Sequence, residues 1–304
     1  MTVDFHFLNV GDGDCIIVDI PERVLRSDPS VEFPARMMMI DTHHHDDHDD
    51  YEDVVRYYLA HFSDSQGRPR PLFRYIQSHP HTDHLKGLSR LSRNIPIVNF
   101  WDLEHSFVPQ KNGPGWDECR DDWECYERLR TGSTDPKVLR YSDADSPREY
   151  WKDDGITILS PSKDLHTAVH KKDDGTLRSP DEIGQELNDL SYVLLMKVNN
   201  LKILLAGDAE QRAWNHMIQN HRSEITNIDI LKAPHHGRES AFNEEAVKIM
   251  RPKHIIMSAS EECEYMVPEK YLKASPTSKI YKTCEQGTFV MSCDFDGGIT
   301  LRRS

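Results

Sequence analysis

No stretch of this chain is apolar for long enough to cross a bilayer, and its start, Met1-Thr-Val-Asp-Phe5, lacks a basic opening followed by an apolar run. A cytoplasmic protein with no membrane attachment is the expectation. Cysteine is scarce as well. The six cysteines are irregularly spaced with no Cys-x-x-Cys pair, which points to neither a disulfide framework nor a cysteine zinc site; Cys15 reads as an inert core thiol. Positive charge is also short, with 37 Lys and Arg against 51 Asp and Glu and a formal charge of −14. That balance argues against a broad basic face for duplex DNA. A nucleic-acid substrate is not excluded by it, because bound divalent ions invert the local potential inside a cleft. There is no internal repeat. What remains is 304 residues, 37% of them hydrophobic, enough for one large core and a very polar surface.

Histidine and aspartate are where the chain is rich. Ser78-His79-Pro80-His81-Thr82-Asp83-His84-Leu85-Lys86-Gly87 places three imidazoles and a carboxylate within six residues. Leu72 to Ile76, just before it, reads as a short buried strand, and Leu85, Leu88 and Leu91 recur at helical spacing just after it. A strand-to-helix loop can turn several side chains toward one point. Imidazole nitrogens and a carboxylate suit zinc or a similar divalent ion. Two later strands end in the same chemistry: Ile203-Leu-Leu-Ala-Gly207-Asp208, and Asp229-Ile-Leu-Lys232-Ala-Pro-His235-His236-Gly237.

These pieces resemble the signature of the metallo-β-lactamase-fold hydrolases. Leu-Lys-x-Pro-His-His-Gly with Ser240, the opening Phe7-Leu-Asn-Val-Gly-Asp-Gly-Asp14 and the tail Tyr281-Lys-Thr-Cys-Glu-Gln-Gly287-Thr-Phe-Val look like the ComEC-like metallo-β-lactamase domain of DNA-uptake proteins. The resemblance implies a four-layer αββα sandwich, of mixed α/β (α+β) class, over residues 1–304 as a single domain. It also implies two divalent metal ions, zinc first and manganese second. His79 and His81 would hold one ion. Asp83, His84 and one of His235 and His236 would hold the other, with Asp208 bridging. Two close ions lower the pKa of a shared water, and Asp83 would orient it and take its proton. Whichever of His235 and His236 is not the ligand would donate to the leaving group or simply hydrogen-bond, and His236 is accordingly a candidate for either role. Lys232 reads either as a partner for phosphate or oxyanion or as a surface lysine at a strand end.

One departure stands out. Most members of that family supply a further histidine before the Gly-Asp strand, whereas here the neighbourhood reads Asn188-Asp-Leu-Ser191. His105, His166 and His170 are the substitutes at hand, with water as the alternative. Asp14 and Asp41, at strand ends, are either outer partners of the ligands or ordinary turn carboxylates. His43-His-His-Asp-Asp-His48-Asp-Asp50 reads as a solvated loop leading into a helix from about 52 to 62. Residues 102–152 read as an insertion over the cleft, with a helix near Trp123 to Leu129, and 163–186 as a second polar loop. Trp116, Trp123 and Tyr126 either pack the first segment down or stack on a base. The function expected is a dimetal phosphodiesterase or nuclease for single strands or oligonucleotides. The alternatives are a small ester, thioester or lactone hydrolase and a non-catalytic metal-binding regulator.

Overall fold

A computed structural model describes residues 1–303 other than 26–27, 46–49, 112–115, 133–134, 146–148 and 262. In chain order the strands are β1 (Thr2–Phe7), β2 (Ile16–Ile20), β3 (Arg23–Leu25), β4 (Asp28–Phe33), β5 (Arg36–Ile40), β6 (Leu72–Ile76), β7 (Asn99–Trp101), β8 (Lys137–Leu139), β9 (Ile156–Ser160), β10 (Val193–Val198), β11 (Leu201–Leu205), β12 (Ile230–Lys232), β13 (His254–Met257), β14 (Lys279–Lys282), β15 (Phe289–Asp294) and β16 (Ile299–Arg303). One sheet has the order β16-β15-β1-β2-β5-β6-β7-β8 and the other β14-β13-β12-β11-β10-β9. β3 and β4 pair with each other as a separate hairpin.

Alternation along the strands decides the layers. Successive strand residues face opposite sides. Phe5, Phe7, Ile16, Val18, Met38, Ile40 and Ile76 enter a core shared with β10, β11 and β13 of the second sheet. Ile17, Met37, Met39, Leu72 and Tyr75 face the other way, onto Val54, Tyr58, Leu88 and Leu91 of the helices Val54–His61 and Leu88–Asn94. The far face of the second sheet is covered by Trp214 and Met217 of the helix Gln211–Asn220 and by Val247 and Met250 of Glu244–Met250. Helix, sheet, sheet, helix is the four-layer αββα sandwich. The near-continuous apolar runs of β5 and β10 follow from burial of these central strands on both faces.

Each sheet has an antiparallel half and a parallel half. β5, β6, β7 and β8 run parallel in the first, and β11, β12, β13 and β14 in the second. Loops leaving the carboxyl ends of such strands form the crevice where an open α/β sheet takes its ligand. Asp41 follows β5, the His79–His84 loop follows β6, Asp208 follows β11 and His235 and His236 follow β12.

Of three local expectations, the packing alternative for the first segment holds and the other two are corrected. Residues 102–152 supply the edge strand β8 and the helix Trp116–Thr131, whose Trp116, Trp123, Tyr126 and Leu129 are buried against Leu88 and Leu91. Those aromatics are core and cannot stack on a base. Residues 163–186 form two helices, Lys163–His170 and Pro180–Glu186, rather than a polar loop. In the segment 43–50, His43 is buried rather than solvated, with its Nε2 3.0 Å from His45 Nε2; His48 lies outside the described residues. The helix beyond it runs Val54–His61, with the Asp53 side chain accepting from Arg56 N.

Candidate metal centre

Gln77, fully buried, holds the His79–His84 loop in shape. Its Nε2 donates to the carbonyls of His79 and His84, each at 2.9 Å, and approaches Asp41 Oδ1 at 3.2 Å. Asp41 Oδ1 also accepts from Ser78 N at 2.7 Å. On the other flank, Asp14 N donates to the carbonyl of Asp83 at 3.2 Å. A Cβ on Gly13 would lie 2.3 Å from His43 Cγ and 2.6 Å from that same carbonyl oxygen, so only glycine lets the first hairpin loop come this close.

The outer nitrogen of each imidazole is engaged, which fixes the nitrogen that faces inward. His84 Nδ1 donates to Asp41 Oδ2 at 2.7 Å, and His236 Nδ1 to the Ser258 carbonyl at 2.9 Å. His81 Nε2 donates to the Gly184 carbonyl at 2.9 Å. His79 Nδ1 sits 3.1 Å from Ser78 Oγ and 3.4 Å from Ser191 Oγ, and Ser191 Oγ accepts from Asp208 N at 3.1 Å. His79 Nε2, His81 Nδ1, His84 Nε2 and His236 Nε2 remain to face the centre.

Asp208 lies among them, 1% exposed. Its Oδ1 is 3.1 Å from His84 Nε2, and its Oδ2 is 3.6, 3.8 and 3.9 Å from the Nε2 atoms of His235, His79 and His236. His79 Nε2 and His81 Nδ1 are 3.1 Å apart, and His236 Nε2 is 3.2 Å from Asp83 Oδ2. Ligand atoms on a tetrahedral ion at about 2.0–2.1 Å are about 3.3 Å from each other; the 3.1–3.2 Å separations are close to such an edge and the 3.6–3.9 Å ones are somewhat longer. Asp83, His84, Asp208 and His236 offer atoms all within 4.8 Å of one another. His84 Nε2 and Asp208 Oδ1 are buried and face each other at 3.1 Å without the alignment of a good hydrogen bond, and neither has another partner among the described residues. Orphaned buried polar atoms are costly, and a divalent ion satisfies both. The donor set fits.

Electrostatics agree. Burial pushes His79 far below the ordinary imidazole range, and neighbouring His84 and His81 push it further, which keeps it a neutral nitrogen donor. Burial opposes charge on His84 too, but Asp208, Asp83 and Asp41 outweigh it and raise that histidine well above its ordinary value. Asp83 and Asp208 are held below the carboxylate range despite burial, chiefly by His84 with His236. The pocket is one in which carboxylates stay ionised and draw a cation.

The residues 235 and 236 separate in role. Both have positive φ, 47° and 57°, uncommon for side chains with a Cβ. His236 is fully buried in the group with Asp83 and His84. The side chain of His235 is 16% exposed, and its Nδ1 is 3.1 Å from Glu210 Oε1 and 3.4 Å from Asn188 Nδ2. It therefore reaches Asp208 from the Asn188 side, where the sequence lacks a histidine. The other substitutes are elsewhere: His105 Nε2 is 2.8 Å from Tyr126 Oη, His166 Nε2 is 2.7 Å from the Glu104 carbonyl, and His170 Nδ1 is 2.8 Å from the His166 carbonyl.

Lys232 fits neither reading made from the sequence. It is fully buried, and its Nζ donates to Asp14 Oδ2 at 2.6 Å and to the Ala233 carbonyl at 3.1 Å. A strand with all three residues buried leaves its last side chain no route to solvent or to a substrate phosphate. Glu210 and Gln77 are the contributors that sequence reading missed. Their signal was position: Glu210 follows Asp208 by two residues, and Gln77 opens the histidine motif.

No protein-family model matches the chain. A 110-residue stretch is 27% identical to ComE operon protein 3 of Bacillus subtilis (strain 168), covering 33% of this chain and 13% of that protein. The chain thus spans a small part of that relative's length. Among solved structures, the chain is similar to Igni18, a metallo hydrolase from the archaeon Ignicoccus hospitalis KIN4/I, with a TM-score of 0.49 and 12% identity over 100% of both chains. It is also similar to the metallo-β-lactamase fold protein YhfI from Bacillus subtilis, with a TM-score of 0.46 and 12% identity over 95% of this chain and 99% of that one.

Proposed function

We propose that the chain is a dimetal hydrolase that cleaves phosphodiesters, in single-stranded nucleic acid or oligonucleotides. The observation that carries this reading is Asp208, a buried carboxylate with His84 on one oxygen and His79, His235 and His236 around the other. A carboxylate so placed is suited to join two ions, the first with His79, His81 and His235, the second with Asp83, His84 and His236. Zinc is the first expectation and manganese the second. Two divalent ions bound there supply Lewis acidity that brings a water's pKa near neutrality and steadies the attacking and leaving oxygens of an in-line displacement.

The chain's own groups do the rest. Asp83 is the more open of the two inner carboxylates, 31% exposed against 1% for Asp208. Its role would be to orient the attacking water and to accept its proton as the water oxygen bonds to phosphorus and the ester P–O bond to the leaving oxygen breaks. Glu210 holds the outer nitrogen of His235, and Asp41 that of His84, so each ring is fixed before substrate arrives. Lys232 acts by anchoring Asp14 beneath His236 rather than by meeting substrate.

That withdrawal of Lys232 favours a second reading, hydrolysis of a small ester, thioester or lactone, because it removes the cation that a phosphate would have met. The test is metal-reconstituted protein, with zinc or manganese, on labelled single- and double-stranded DNA and RNA, a bis-nitrophenyl phosphodiester and a simple thioester. Single-strand or model-diester cleavage is expected. Asp83→Asn should lose at least about 10²–10⁴-fold, the range for removal of a general base, while its far-UV spectrum is unchanged. His235→Ala and His236→Ala should each bind one metal equivalent less. Thioester turnover with both diesters untouched would sink the phosphodiester reading, and metal bound with no turnover would point to a regulator.

A further inference from the structure

We propose that Asp143, His216 and His221 form a second, separate metal site for a zinc ion, which ties the segment Asp143–Asp145 to the helix Gln211–Asn220. None of the three belongs to the centre described above. His216 Nε2 lies 2.7 Å and His221 Nε2 3.2 Å from the same oxygen, Oδ2 of Asp143. The ligand atoms of all three lie within 4.8 Å of one another. The carboxylate comes from 73 and 78 residues away in the chain, so the convergence is made by the fold and not by helical spacing.

Two nitrogens and one carboxylate oxygen form a donor set that zinc accepts. The three side chains are 14–19% exposed, sheltered enough to define a geometry and open enough for an ion to enter. Asn220 Nδ2 lies 3.1 Å from His216 Nδ1 and donates to the His216 carbonyl at 3.0 Å, so in this arrangement the ring proton sits on Nε2, toward Asp143; ligation through Nε2 requires the Asn220 amide to turn so that its oxygen accepts from Nδ1–H. Asp143 N donates to the Pro161 carbonyl at 2.9 Å, and Asp145 Oδ2 accepts from Ser142 N at 3.0 Å, so the carboxylate stands on a fixed turn. Without an ion, two N–H donors crowd onto one oxygen. With an ion, the three groups become its ligands, and each neutral ring carries its proton on Nδ1 instead of Nε2.

The site would act at a distance from the chemistry. Glu210, which holds His235, caps the start of the helix that carries His216 and His221 toward its end. At 1.5 Å per residue the two sites stand roughly 9–17 Å apart along one helix. Ser142 and Asp145, beside the proposed ligand, line a cleft with Arg140, Lys163 and His166, and an ion on Asp143 would hold that wall in place.

The test is zinc stoichiometry by elemental analysis after gel filtration, for the wild type, a His216→Gln/His221→Gln variant, Asp208→Ala and the three changes combined. The two-histidine variant should bind one equivalent less than the wild type and keep its hydrolytic activity. Asp208→Ala should retain an equivalent that disappears in the combined variant. Equal stoichiometry in the wild type and the two-histidine variant would reduce the cluster to a hydrogen-bonded clasp and overturn the proposal. Zinc-edge anomalous diffraction from soaked wild-type crystals decides the matter without any variant. A peak about 2.0–2.2 Å from the three ligand atoms is expected, and its absence at saturating zinc also overturns the proposal.

Discussion

Asp14 and Lys232 meet across 218 residues of chain at 2.6 Å, with both side chains out of water. A buried pair contributes little beyond a well-packed apolar pair, but losing one partner strands a charge and costs about 3–5 kcal/mol. Lys232→Met should therefore lower stability by that order in chemical denaturation, and adding Asp14→Asn should recover much of it. An unchanged midpoint for Lys232→Met would show that Asp14 finds water or another cation. His6 gives the residue scale a pH signature. Burial outweighs the help of Asp4 and lowers its pKa from 6.5 to about 4, with its Nδ1 2.9 Å from Tyr57 Oη. The unfolded chain binds a proton at His6 below pH 6.5 while the folded chain does not until about pH 4. Stability from this site is thus complete above pH 6.5 and is lost as pH falls through that window, by up to about 3 kcal/mol at about 1.4 per unit. In metal-free protein, the gap between wild type and His6→Gln should narrow from pH 7 to pH 4.5. A gap constant with pH would mean that His6 titrates normally.

Between elements, the centre depends on how closely the loop after β1 approaches the loop after β6. Gly13→Ala would place a Cβ 2.6 Å from the Asp83 carbonyl oxygen and 2.3 Å from the ring of buried His43. Neither neighbour is the free end of a flexible side chain. The variant should be destabilised by about 1–3 kcal/mol, the usual cost of overpacking, and should bind the ion at Asp83 more weakly in a zinc titration. Wild-type affinity would show that the two loops move independently. The contrast with the sequence reading is instructive at this scale. The strands that carry ligands were legible, because residues 72–76, 201–206 and 228–232 are apolar-rich runs followed within three residues by His or Gly-Asp. The helix Pro180–Glu186 was missed although Ser179-Pro-Asp-Glu182 spells a capping box with proline in the first turn, which the structure forms. Polar composition outvoted a local signal. The burial of Lys232 and His43 was not legible in any window, because each is set by a partner from another strand end: Asp14 for one, the close-packed Gly13 for the other. Residue type reports what a side chain prefers, whereas tertiary approach decides which atoms it meets.

At the scale of the whole molecule, a formal charge of −14 stands against the proposed polyanionic substrate, and ions bound at the centre would have to outbid it locally. Screening has a definite direction here. A protein that grips single strands through lysine and arginine loses affinity steeply with salt, by roughly 0.7 log units per phosphate contact for each tenfold rise. In this chain Lys232, which precedes the His235-His236 pair, is buried and paired, and the net negative charge repels the strand at long range. Added monovalent salt shortens the Debye length to about 10 Å at 0.1 M and should weaken that repulsion more than it weakens contacts inside the crevice. For zinc-reconstituted protein, kcat/KM on a labelled single-stranded oligonucleotide should stay level or rise up to a few-fold as potassium chloride goes from about 20 to 150 mM. A neutral thioester should show no trend over the same range, since it has no charge for the field to act on. A fall with a log–log slope steeper than about −2, by the same counterion argument, would reveal a cationic track of three or more phosphate contacts. It would overturn the view that metal ions alone recruit the substrate.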